Sequence, residues 1–200
     1  MILQMSPTPI GIYENFNYDE HDFFENQIPY EPETEWGERS KDKHILKSSN
    51  LQSWIQDQIN DYSMNCLATK QKLKITQSWC IRNKNQSAKL FRHTHPNSIV
   101  SGAYYINCSE VSSCLRIEPQ SCLNSDRRIS WEYDDNLFQD QPWLWQYYEF
   151  LPKIGRLYIF PSNLYHYIEP KSNIDNRCVI SFNTWFSSPI GSIENLNYLE

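Results

Sequence analysis

Over residues 1–45 the apolar positions follow neither a helical nor a strand period. Asp, Glu, Asn, Pro and aromatic residues dominate, and only Pro9-Ile10-Gly11-Ile12-Tyr13 has the apolar content of a strand. This segment reads as an ordered but irregular arm. Within 46–65 the pattern changes: Leu51, Trp54, Ile55, Ile59 and Tyr62 recur at i, i+3, i+4, i+8 and i+11, one apolar stripe on a helix started by Ser48, Ser49 or Asn50. Polar Gln58 narrows the stripe at the i+7 position. Across 73–186 short runs of β-branched and aromatic residues alternate with polar or Pro-containing turns, the texture of an all-β sandwich or barrel. The spacing predicts strands over 73–82, 89–95, 99–107, 114–118, 144–151, 156–160, 165–169 and 177–186. Eight strands suit a jelly roll, two packed sheets with a tapered cavity between them, and 123–142 reads as a long excursion over its mouth.

Length and composition narrow the picture without specifying chemistry. The 200 residues fit one domain, 1–200, with 40% apolar residues to build a core. A formal net charge of −6 argues against a nucleic-acid polymer as partner. The sequence has no apolar run near the roughly 20 residues of a bilayer-spanning helix, and no secretory signal, so a soluble cytoplasmic protein is expected. Cysteines at 66, 80, 108, 114, 122 and 178 form no CxxC pair, and reduced thiols are the simpler reading.

Candidate chemistry lies in the β region. Three of the five histidines, His93, His95 and His166, fall on predicted strands there. On an extended strand His93 and His95 project from one face and can reach one metal ion, and a later strand can bring His166 to it. Three ligands on one side of an ion leave positions open, as an iron oxygenase requires. On the last strand Arg177, Val179, Ser181 and Asn183 share one face, and Cys178, Ile180, Phe182 and Phe186 the other. A buried Arg-Ser-Asn face needs a polar guest, and a guanidinium fork matches a carboxylate such as that of a dicarboxylic acid. Taken singly, each of these residues has an ordinary structural reading: a hydrogen-bonded histidine or a surface ion pair.

Read together, the run from His93-Thr94-His95-Pro96-Asn97-Ser98 to Ser101-Gly102-Ala103-Tyr104-Tyr105, then Phe160-Pro161-Ser162 with His166, and Arg177 with Ser181-Phe182-Asn183, resembles a family of 2-oxoglutarate- and Fe(II)-dependent oxygenases found in bacteria and marine tailed phages. The resemblance runs from about Pro9 to Trp185. It implies a mainly β, double-stranded β-helix (cupin-like) fold with a supporting N-terminal helix. It also implies Fe(II), 2-oxoglutarate and O2, and a hydroxylated product of an unidentified small-molecule or protein substrate. It places His93, His95 and His166 on the metal and Arg177, Tyr105 and Ser181 around the co-substrate. The wider superfamily has a carboxylate where His95 stands, so the site here is one charge unit more positive. Direct ligation by His95, a second-layer role or a substrate contact all follow from the sequence. A rival reading is an inactive metal- or ligand-binding jelly roll of a phage, its aromatics Trp131, Tyr133, Trp143, Trp145, Tyr147 and Tyr148 forming a binding surface. Another is a cupin-like enzyme that needs no oxo-acid.

Overall fold

The structure, a computed structural model, describes residues 8–86, 89–120, 134, 142–170, 175–187 and 190. Its elements run β1 (Gly11–Glu14), β2 (Glu38–Arg39), α1 (Asn50–Cys66), β3 (Leu73–Gln86), β4 (Leu90–His93), β5 (Val100–Asn107), β6 (Leu115–Ile117), β7 (Tyr148–Phe150), β8 (Arg156–Pro161), β9 (His166–Ile168) and β10 (Asp175–Phe186). The major sheet has the order β1-β8-β5-β10-β3-β2 and the minor sheet β4-β9-β6-β7, every pairing antiparallel. This is the expected jelly roll.

The arm is more regular than its composition suggests. Its two short strands, β1 beside β8 and β2 beside β3, extend the major sheet at both edges. Neither has the alternation of a half-buried strand, and backbone pairing to an existing edge forms them. The expected strand at 144–151 shortens to β7, preceded by a 3-10 turn at Pro142–Leu144. Apart from Asp134 and Pro142, the 123–142 excursion lies outside the described residues, as do Trp131, Tyr133 and the side chain of Trp143. Trp145, Tyr147 and Tyr148 are half-buried.

Helix α1 starts at Ser49, whose hydroxyl accepts from the Gln52 N–H at 3.0 Å, while the Gln52 amide oxygen accepts from Ser48 N–H at 2.9 Å. Together these form a variant of the reciprocal capping box. Its buried stripe, Leu51, Ile55, Ile59 and Tyr62, packs on the back of the major sheet against Tyr104, Leu157, Ile159, Cys178, Ile180 and Phe182. The front of that sheet meets the minor sheet through a second cluster that includes Tyr105, Tyr158, Phe160 and Val179 from one side and Leu115, Ile117 and Ile168 from the other. Strand alternation makes this division: even-numbered residues of β5 and β10 face the helix, odd-numbered ones face the inter-sheet space. Gly102 is required where β5 passes Phe182, because a Cβ there would lie 2.3 Å from that ring. Cys66, Cys80, Cys108, Cys114 and Cys178 are free thiols, as expected, and Cys122 lies outside the described residues. Among the described residues no helix is long and apolar enough to cross a membrane.

Candidate metal and co-substrate site

Between the sheets lies a cavity of about 480 Å³ whose walls include His93, His95, His166, Tyr105, Arg177 and Ser181. His93 and His166 are a cross-strand pair on β4 and β9, with ring centroids 4.2 Å apart. His95 departs from expectation: β4 ends at His93, and His95 stands in the following loop. There its N–H donates to the Ser162 carbonyl at 2.9 Å. Asn97, at φ +56°, turns the chain back towards β5, and the Pro96 ring breaks the strand first. The two imidazoles nevertheless face each other, Nε2 to Nε2, at 3.1 Å. One nitrogen from each of the three rings lies within 4.8 Å of the others.

Each ring is pinned through its other nitrogen. His93 Nδ1 donates to the Phe91 carbonyl at 2.7 Å, and His166 Nδ1 to the Leu164 carbonyl at 3.0 Å. His95 Nδ1 lies 2.6 Å from Asn183 Oδ1, whose amide nitrogen in turn donates to Gln77 Oε1 at 3.2 Å. Carbonyl acceptors fix the proton on Nδ1 and leave Nε2 of each ring as the atom with a free lone pair. Two such lone pairs 3.1 Å apart repel unless a cation lies between them. Ligands about 2.1 Å from an ion and at right angles stand about 3.0 Å apart, so the His93–His95 spacing fits two ligands of one metal ion. Burial favours the neutral rings as well. It lowers the His166 pKa to about 3, with the His93 charge adding to the effect. It lowers that of His95 to about 4 against the opposing Asn183 hydrogen bond.

Arg177 is 4% exposed and its guanidinium donates to the Ser113 carbonyl at 3.2 Å and to Asn83 Oδ1 at 3.4 Å. Tyr105, from β5, is buried, and its hydroxyl has no hydrogen-bond partner among the described residues. Burial raises its pKa, and the Arg177 charge acts in the opposite direction. A buried phenol without a partner beside a guanidinium suits an anionic oxygen ligand. Ser181 faces the same cavity, opposite Trp79 on β3 and Ala103 on β5. The expected polar face of β10 is thus present in full.

Three further residues matter to this geometry: the sequence placed Asn183 on the polar face of the last strand and Ser101 within the motif without giving either a role, and Asn83 carried no recognisable signal. Asn183 and Ser101 form the cradle of His95, with Ser101 Oγ 2.9 Å from both Asn183 Oδ1 and His95 Nδ1. Asn83, buried on β3, links Arg177 through its oxygen to the Trp36 carbonyl through its nitrogen at 3.3 Å. Asn183 and Ser101 stand inside the resembling motifs, but their roles depend on contacts across strands. Asn83 has no motif around it.

A jelly roll with a cluster of three histidines that could hold a metal ion has the architecture of a metal-binding β-sandwich. The chain belongs to the family described as "Putative 2OG-Fe(II) oxygenase", whose model matches residues 77–183, and it is therefore an enzyme that uses Fe(II) and 2-oxoglutarate. Solved structures agree at the level of fold. The Pseudomonas putida prolyl-4-hydroxylase superposes with a TM-score of 0.56 at 10% identity, covering 88% of this chain and 92% of that one. HygX from Streptomyces hygroscopicus, solved with nickel and 2-oxoglutarate bound, gives 0.59 at 10% identity over 88% and 82%. A 2OG-Fe(II) oxygenase-family oxidoreductase from Burkholderia pseudomallei gives 0.54 at 10% identity over 84% and 76%. No curated protein matches the sequence.

Proposed function

We propose that this oxygenase hydroxylates its substrate at a site where His93, His95 and His166 hold the iron and Arg177, Tyr105 and Ser181 receive the co-substrate. The observation that carries the reading is the gathering of three imidazoles with one nitrogen of each within 4.8 Å of the others, and with each Nδ1 facing a carbonyl oxygen. Bound there, Fe(II) with 2-oxoglutarate and O2 supplies the oxidising power, and the co-substrate leaves as succinate and CO2. The protein's share is placement. Nδ1 of each ring keeps its proton, so the three ligands stay neutral and their lone pairs stay aimed. Arg177 offers a planar fork to the distal carboxylate, with the Tyr105 hydroxyl available as a further donor. Leu115, Phe160, Ile168 and Val179 line the same cavity with apolar surface that excludes water from the reacting centre.

The test is succinate release from purified protein given Fe(II), 2-oxoglutarate and O2. His166→Ala should abolish it by removing a ligand. Arg177→Ala should leave metal binding in place but raise the 2-oxoglutarate requirement at least about a hundredfold, the scale of a lost buried charge-assisted hydrogen-bond pair. Full activity in His166→Ala would overturn the ligand assignment.

A further inference from the structure

The mouth of the cavity combines the arm, which lies outside the family match, with the start of the matched region. β2 is the outer strand of the major sheet, and Arg39 pairs there with Ile81, a cavity-facing residue of β3. β4 is the outer strand of the minor sheet, preceded by Lys89. Across the gap between these two edges the Trp36 ring meets Phe91 edge to face, with centroids 5.9 Å apart. Gly37, at φ +96°, permits this arrangement, since a Cβ at that position would lie 2.3 Å from Asn83 Nδ2. Trp36, Arg39 and Lys43, all from the arm, and Lys89 and Trp79 line the cavity with the metal cluster.

The charge of this mouth is opposite to that of the chain. Arg39 and Lys43 share one carboxylate, Glu31, at 3.4 and 4.0 Å. Lys89 lies 5.1 Å above the Phe91 ring. No Asp or Glu lines the cavity among the described residues, although the chain as a whole carries −6. Burial and the Arg39 charge both lower the Lys43 pKa, a sign that the two cations are crowded. Deeper in, three neutral imidazoles leave the metal's charge undiminished. A dianionic co-substrate would balance a divalent ion and leave Arg177 and the rim in excess. A cavity of about 480 Å³ suits a co-substrate and a small molecule better than a polymer.

We infer that the substrate is a small organic anion, with a carboxylate or phosphate held by Arg39, Lys43 and Lys89 and its apolar or ring portion against Trp36 and Trp79. This rests on the oxygenase reading of the cavity. The arm, together with Lys89 and Trp79 of the matched region, thereby selects the substrate, while deeper residues of that region hold the metal and co-substrate. Aromatic faces cover an apolar body at low entropic cost, and cations at a low-dielectric mouth steer and hold the anion.

Anaerobic calorimetry on the full chain tests it in two stages. Fe(II)-loaded protein is first titrated with 2-oxoglutarate, then, saturated with it, with phenylacetate, phenyl phosphate, neutral phenylacetamide and cationic phenethylammonium. One or both of the anions should bind at least about tenfold tighter than the amide, because several cations act on one anion at a mouth less screened than open water. Which anion leads separates carboxylate from phosphate. Lys89→Glu, at an exposed position, should abolish the preference, and Lys43→Gln should weaken it. Equal binding of amide or ammonium, an unchanged preference in Lys89→Glu, or no anion binding at millimolar concentration would overturn the inference. If 2-oxoglutarate fails to bind in the first stage while the anions show their preference, the co-substrate reading falls and the anion selectivity stands.

Discussion

Asn183→Ala tests the contact that would orient His95 as a third imidazole ligand. Asn183 Oδ1 is 2.6 Å from His95 Nδ1, a short hydrogen bond, and accepts from Ser101 Oγ at 2.9 Å as well. Truncation removes the acceptor that fixes the His95 tautomer and leaves a buried Nδ1 proton to seek Ser101 Oγ, also 2.9 Å away. An outer-layer partner of a metal-binding histidine is worth about 10–100-fold in metal affinity. Because Ser101 offers a partial substitute, the expected loss for Asn183→Ala is about tenfold, or about 1.4 kcal/mol. The double change Asn183→Ala with Ser101→Ala removes both acceptors and should approach a hundredfold. Asn183→Asp keeps an acceptor in place, adds negative charge next to the imidazole and should hold the metal at least as tightly as the unaltered protein. The assay is anaerobic Fe(II) titration, or Co(II) followed by its visible bands, with 2-oxoglutarate affinity measured separately. Metal affinity in the double variant equal to that of the parent would refute the reasoning, for His95 would then be neither a ligand nor in need of orientation.

Two further outcomes follow from burial and from packing. Because the folded pKa values of His95 and His166 lie at about 4 and about 3, below the usual His value of about 6.5, the unfolded chain binds more protons throughout that interval. Stability of the metal-free protein is therefore greatest well above pH 6.5 and falls as pH drops towards 4, by on the order of 3 kcal/mol for each of the two rings. Urea unfolding across this range checks it, and His166→Gln should flatten the slope. Gly102→Ala would place a Cβ 2.3 Å from the Phe182 ring and 2.9 Å from the Tyr158 carbonyl oxygen, backbone that cannot move aside. A destabilisation of about 1–3 kcal/mol is expected in denaturant titration, and a neutral result would mean that β5 and β10 can separate at no cost.

Much of this protein was legible in one dimension because the relevant physics is local. The α1 stripe follows from a 3.6-residue period, and the polar face of β10, Arg177 to Asn183, from a period of two. His93 and His95 could be paired by spacing, even though the strand that was to carry both stops at His93. What the chain order could not supply is anything that depends on which strands become neighbours. His166 meets His93 only because β9 pairs with β4, and Asn183 cradles His95 only because β10 runs beside β5, next to the loop that carries it. The arm illustrates the same limit. Its composition suggests irregular chain, yet edge strands of the assembled sheet recruit its backbone, and Trp36, Arg39 and Lys43 then stand at the entrance of a site encoded far downstream. Periodicity depends on the residues themselves, while adjacency depends on the free energy of the whole sandwich, which no single segment contains.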